Sequence, residues 1–169
     1  MNETSENNCK LQVGDQAPDF TLLTHNEGEL NLGWYRGRHN VVLVFYPGDW
    51  TPACSVQVPG YQENIGFFND SNCQLLCVSV DSIPCHIAWA RSCGDFSFPL
   101  MSDYFPHGQV SEKYGVLSSK GYAERSVFLI DINGIIRFID RYGLEEVPET
   151  IDLFDQMAKL SSQTRAGHD

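Results

Sequence analysis

Apolar positions fall into short blocks along the chain, and their period changes from block to block. Asp19–Thr24 and Glu29–Leu32 read as short strands joined by a turn at Asn26–Gly28. Asn40–Tyr46 is a continuous apolar, β-branched run closed by Pro47–Gly48, which predicts a strand buried on both faces. Helical spacing then runs from about Ala53 to Phe68, with Val56, Tyr61, Ile65 and Phe68 on the side expected to be buried. A second buried strand, Gln74–Val80, ends at Asp81–Ser82. Ser82-Ile83-Pro84 predicts a helix entry, since proline is tolerated in a first turn, and this helix runs to about Ser92 before Gly94. Gly108–Tyr114 reads as a short helix closed by Gly115. Ser126–Asp131 and Ile135–Asp140 flank Asn133-Gly134, a strong hairpin signal. Glu149–Leu160 closes the series as an amphipathic helix with Ile151, Phe154, Met157 and Ala158 on its apolar side.

Two buried strands separated by a helix make a parallel βαβ unit, and a closing hairpin adds antiparallel strands to the same sheet. The expectation is a single α/β domain, a sandwich with a mixed central sheet flanked by helices. A chain of 169 residues has room for one such domain, placed here at residues 11–160. The polar ends, 1–10 and 161–169, are expected to be flexible tails. The net charge of −11 argues against nucleic acid and anionic membrane as partners, because both would be repelled. The longest apolar run, Val41–Tyr46, is far too short to span a bilayer. The opening MNETSENNCK lacks the basic and apolar regions of a signal peptide, so a cytoplasmic protein is expected. In a reducing compartment the six cysteines are buried thiols, metal ligands or redox-active groups rather than structural disulfides.

The chemistry concentrates in Phe45-Tyr46-Pro47-Gly48-Asp49-Trp50-Thr51-Pro52-Ala53-Cys54, where a buried strand ends and a helix begins. Sites in open α/β sheets lie outside the carboxyl ends of the strands. A cysteine at a helix start faces free N–H groups and the positive end of the dipole, which favour a thiolate, the reactive form. Thr51 is close enough to turn its hydroxyl toward a bound oxygen, and Pro47 shields the pocket and removes a competing backbone donor.

Pro47-x-x-x-Thr51-x-x-Cys54 after an apolar strand resembles the active-site signature of the peroxiredoxins. The likeness extends from about Gly14 to Asp140, through Val13–Phe20, Ser79–Ser82, Val110–Val116 and Arg125–Asp131. It implies a thioredoxin-like fold and a thiol peroxidase that reduces hydrogen peroxide and organic hydroperoxides. In that scheme Cys54 attacks the terminal peroxide oxygen to give a sulfenic acid. Arg125 and backbone N–H groups hold the thiolate and the charge developing on the leaving oxygen, while Thr51 orients the peroxide. The reaction needs no cofactor or metal. A dithiol reductant such as thioredoxin and a homo-oligomer, dimer or larger, are the family expectations. One departure is Gln57, where many relatives have glutamate, so the hydrogen bonding behind Thr51 is expected to differ. Pro59 and Gly60 are poor interior helix residues and imply a marginal turn after Cys54, one that in the family unravels on oxidation.

A sulfenic acid is usually returned to thiol through a disulfide with a second cysteine. No cysteine follows Cys93, and the position five after Cys54 is Pro59. Cys54 and Cys85 each lie just past the carboxyl end of a predicted parallel strand, on the same sheet edge. Cys73 precedes the second strand and belongs to the opposite edge, Cys77 is mid-strand, and Cys93 lies about 12 Å along the helix from Cys85. Cys85 is therefore the favoured resolving cysteine, with some unwinding required for the sulfurs to meet. Cys93, Cys73 and Cys9, the last in the amino-terminal arm, stay open.

Four other readings compete. Cys73, Cys77, Cys85, His86 and Cys93 could be taken as a zinc set, but Cys73 and Cys77 are about 13 Å apart along a strand, unlike the tight turns zinc sites use. A thiol–disulfide oxidoreductase would carry C-x-x-C, and position 51 is threonine. A one-cysteine peroxidase using an external thiol, or a non-catalytic redox sensor or holdase, would use Cys54 alone. His86, next after Cys85, and Trp89, one turn further along the helix, read as packing residues.

Overall fold

The computed structural model describes residues 10–167, so Cys9 and most of the predicted amino-terminal arm lie outside the described residues. Among the described residues seven strands form one mixed sheet in the order β2-β1-β5-β4-β3-β6-β7. They are β1 (Thr21–Thr24), β2 (Glu29–Asn31), β3 (Asn40–Phe45), β4 (Cys73–Ser79), β5 (Leu100–Ser102), β6 (Ser126–Ile130) and β7 (Ile136–Arg141). The helices are α1 (Cys54–Glu63), α2 (Ile65–Asp70), α3 (Ile83–Ser92), α4 (Gln109–Lys113) and α5 (Ile151–Ala166).

The central strand β3 is buried at every position, as its unbroken apolar run predicts. It pairs in parallel with β4, Phe45 opposite Val78, and antiparallel with β6, Phe45 opposite Ser126. Because side chains alternate across a strand, β3 feeds two cores. Val42, Val44 and Tyr46 join Cys54, Val58, Tyr61, Phe68, Trp89, Leu153 and Met157 under α1, α2, α3 and α5. Val41, Leu43 and Phe45 join Phe20, Val110, Tyr114 and Phe128 on the other face, under α4. The architecture is the thioredoxin-like sandwich that the resemblance implies.

Several local expectations are corrected. The stretch from Ala53 to Phe68 is two helices, broken at Asn64, whose φ of −106° leaves the helical well. Val56 is 60% exposed, and the buried side of α1 is instead Cys54, Gln57, Val58 and Tyr61. On α5 the apolar face is Leu153 and Met157, with Phe154 and Leu160 half-buried, while Ile151 and Ala158 are exposed. That helix continues past Leu160 to Ala166, beyond its predicted end. Strand β5 has no counterpart in the sequence pattern: three residues, Leu100-Met101-Ser102, carry no readable period, and it is the parallel pairing with β4 that makes them a strand. It completes a second parallel unit through α3.

Candidate active site

Parallel pairing of β3, β4 and β5 sends the β3–α1 and β4–α3 loops to one edge of the sheet. The antiparallel β6 runs the other way, so its first residues reach that same edge. This places Arg125, just before β6, beside the segment after β3. The β3–α1 loop turns sharply at Trp50, whose φ of +66° lies in the left-handed region that a bulky residue seldom occupies. Thr51 follows, its Oγ1 donating to the Gly48 carbonyl at 2.8 Å. Cys54 is then the first residue of α1 and is fully buried.

Arg125 is itself 1% exposed. Its Nη1 lies 3.3 Å from Cys54 Sγ and also donates to Gln57 Oε1. Its Nη2 donates to the Leu144 carbonyl at 2.7 Å and its Nε to the Gly143 carbonyl at 3.4 Å. No carboxylate is among these partners, so the guanidinium charge is shared between neutral oxygens and the sulfur. Gln57 Nε2 in turn donates to the Tyr61 hydroxyl at 3.0 Å. The glutamine departure thus acts on Arg125, whereas Thr51 is tied to its own loop. Pro47, buried, lines a cavity of about 240 Å³ with Arg125, Ser126 and Tyr142. A more open, largely apolar groove of about 630 Å³ lies beside it, bordered by Thr51, Pro52, Ala53, Val56, Leu144, Glu145 and Val147.

Cys85 lies in the first turn of α3, whose N-cap Ser82 accepts from the Cys85 N–H at 3.4 Å. Its thiol faces carboxylates. Asp49, Asp81 and Cys85 each bring a side-chain oxygen or sulfur within 4.8 Å of the others. Asp49, in the β3–α1 loop, accepts from the Tyr46 hydroxyl at 2.7 Å and from His86 Nδ1 at 2.6 Å. Asp81, after β4, accepts from Ser79 Oγ at 2.5 Å, from the Asp49 N–H at 2.9 Å and from Cys85 Sγ at 3.8 Å. Each carboxylate oxygen already has a protein donor, so the cluster is a closed hydrogen-bond network. Burial first, then the Asp49 and Asp81 charges, pushes the Cys85 thiol up to about 11.

The remaining cysteines among the described residues are dispersed. Cys73 begins β4 at the opposite edge and burial pushes its thiol up to about 12. Cys77 is wholly buried opposite Val44, its thiol also raised by burial, and Cys93 is the C-cap of α3. The set considered for zinc is therefore not brought together. Sequence reading missed Asp49, Asp81 and the polar role of His86, which is fully buried, with Nδ1 on Asp49 and Nε2 on the Met101 carbonyl. The signal available was position: both aspartates follow a buried parallel strand at its carboxyl end.

A buried cysteine at a helix start, backed by a guanidinium on this sheet, is the layout of a cysteine-based redox enzyme. The profile of the AhpC/TSA family matches residues 13–139. Alkyl hydroperoxide reductase E of Mycobacterium tuberculosis is 39% identical over 153 residues, covering 90% of this chain and 99% of that protein. The reduced 2-Cys peroxiredoxin of Plasmodium vivax superposes with a TM-score of 0.84 at 28% identity, covering 93% of this chain and 86% of its own. A yeast mitochondrial 1-Cys peroxiredoxin superposes with a TM-score of 0.83 at 26% identity, covering 93% and 79%. The chain belongs to the AhpC/TSA family and is a peroxiredoxin, a thiol-dependent hydroperoxide reductase. Family members act on hydroperoxides, draw on thioredoxin-type reductants and commonly form oligomers. Among the described residues no helix is long and apolar enough to cross a membrane.

Proposed function

We propose that Cys54 is the sulfur that attacks the peroxide and that Cys85 resolves the product within the same chain. The observation that carries this reading is the buried contact of 3.3 Å between Arg125 Nη1 and Cys54 Sγ, set against two carboxylates at Cys85. The Cys54 thiolate attacks the terminal oxygen; an S–O bond forms, the O–O bond breaks, and the leaving oxygen takes a proton to depart as water or alcohol. Arg125 supports the charge developing on the oxygens, with the Thr51 hydroxyl orienting the peroxide and Pro47 screening the pocket. The alkyl part of an organic hydroperoxide fits the apolar groove bordered by Val56, Leu144 and Val147.

The Cys85 sulfur then displaces water from the sulfenic acid to give a Cys54–Cys85 disulfide, which a dithiol such as thioredoxin reduces. Pro59 inside α1 weakens the turn that must open for the sulfurs to meet. Hydrogen exchange tests this opening: residues 54–60 should lose protection in the oxidised form, and strong protection in both states would contradict it. The domain is taken as 11–160, working in the cytoplasm as a homo-oligomer, which light scattering of the reduced protein checks. Cys54→Ser should abolish peroxide consumption and Cys85→Ser should leave one turnover of Cys54 oxidation intact. Undiminished turnover in Cys54→Ser would refute the assignment.

A further inference from the structure

Cys54 and Cys85 share one sheet edge but stand in opposite electrostatic surroundings. Cys54 Sγ has a guanidinium against it, whereas Cys85 Sγ lies between the carboxylates of Asp49 and Asp81, with His86 and Tyr46 behind Asp49. A thiol raised to about 11 is ionised in only about one molecule in 10⁴ at neutral pH. This protects Cys85 from peroxide, so oxidation is confined to Cys54. The same property is an obstacle at the next step, because a neutral thiol is a poor nucleophile toward sulfenic acid. Resolution needs a group that takes the proton as the sulfur attacks.

We propose that the Asp81 carboxylate is that general base, accepting the Cys85 thiol proton as its sulfur attacks the sulfenic sulfur of Cys54. The step rests on Cys85 being the resolving cysteine. It balances as follows: the Cys85 S–H proton passes to Asp81, an S–S bond forms, and the S–O bond of Cys54 breaks. The departing hydroxide takes up a proton from solvent and leaves as water, Asp81 returns the thiol proton to solvent, and no outside oxidant is needed. Asp81 is distinguished from Asp49 by its partners. Both Asp49 oxygens are engaged, by the Tyr46 hydroxyl and by His86. On Asp81, Oδ2 is held by Ser79 Oγ and the Asp49 N–H, which leaves Oδ1 turned to the Cys85 thiol at 3.8 Å. The two anchoring bonds fix the carboxylate in place before the reaction, so its reorganisation costs little.

The test is disulfide formation after one equivalent of hydrogen peroxide, followed by quenched-flow mass spectrometry in the full chain and in Asp81→Asn. The wild-type rate should change by less than about threefold between about pH 7 and pH 9, with a normal solvent deuterium isotope effect. Asp81→Asn should form the disulfide about tenfold or more slowly near pH 7, rise steeply with pH, and lose the isotope effect, while the preceding oxidation of Cys54 keeps its rate. A variant that resolves as fast as wild type, or faster because the repelling charge is gone, overturns the base. If the variant does not fold, the wild-type profile decides: a rate climbing about tenfold per pH unit means that preformed thiolate reacts without a base. Peptide mapping separates the two readings. A linkage from Cys54 to a cysteine other than Cys85 removes both, whereas a Cys54–Cys85 linkage with an unaffected Asp81→Asn removes the base alone.

Discussion

Replacing Arg125 by methionine probes the electrostatics of the reactive sulfur with little loss of side-chain volume. Its Nη1 lies 3.3 Å from Cys54 Sγ, and at an effective dielectric of about 20 a unit charge at that distance attracts an anion by about 5 kcal/mol. The charge is spread over the guanidinium, and Nη1 is shared with Gln57 while Nη2 serves the Leu144 carbonyl, so roughly half of this acts on the sulfur. A loss of about 3 kcal/mol in the transition state corresponds to about 10²-fold in the rate of Cys54 oxidation, in the range found for removing an oxyanion donor. Lysine keeps the charge but cannot reach the sulfur and both carbonyls of the 143–144 turn together, so Arg125→Lys should fall between methionine and wild type. Stopped-flow fluorescence against hydrogen peroxide near pH 7 reads the second-order rate directly. The reasoning is refuted if Arg125→Met, shown to be folded by circular dichroism, oxidises within about threefold of wild type.

Pro59→Ala restores a missing donor inside α1 and should stabilise that helix by about 3 kcal/mol. Disulfide formation then slows by up to about 10²-fold in quenched-flow mapping, while Cys54 oxidation is unchanged. Val147→Asp adds a second carboxylate to that of Glu145 in the largely apolar groove and should raise the KM for a bulky hydroperoxide such as cumene hydroperoxide several-fold, leaving hydrogen peroxide nearly unaffected; equal effects on both would contradict the groove's role. Folding stability should fall at alkaline pH. Cys85 and Cys73 are raised to about 11 and about 12 from an ordinary value near 9, so the unfolded chain sheds those protons first as pH rises. Urea unfolding under reducing conditions should therefore show less stability at about pH 10 than at about pH 8.

The elements nearest the site were legible because their patterns are strong. The apolar run of β3, the Asn133-Gly134 hairpin and the Ser82 entry to α3 each carry a local signal that tertiary packing leaves intact. Topology from those few elements was enough to bring Cys54 and Cys85 to one edge. Other features arise only from contact. Val56 occupies a helical position that reads as buried, yet α1 turns Gln57 inward because that amide satisfies both Arg125 and Tyr61. Ile151 fails similarly: it is exposed, and burial along α5 starts at Leu153. The Asp49–Asp81–His86 network joins residues 32 and 37 positions apart, a separation that no periodicity encodes.

The central claim is that one chain carries both sulfurs of the cycle. It is tested most directly by intact mass and peptide mapping after one equivalent of hydrogen peroxide without reductant. The account predicts the loss of two hydrogens and a single linked peptide pair joining Cys54 to Cys85. A linkage from Cys54 to Cys9, Cys73 or Cys93, or one added oxygen on Cys54 with Cys85 still free, would contradict it.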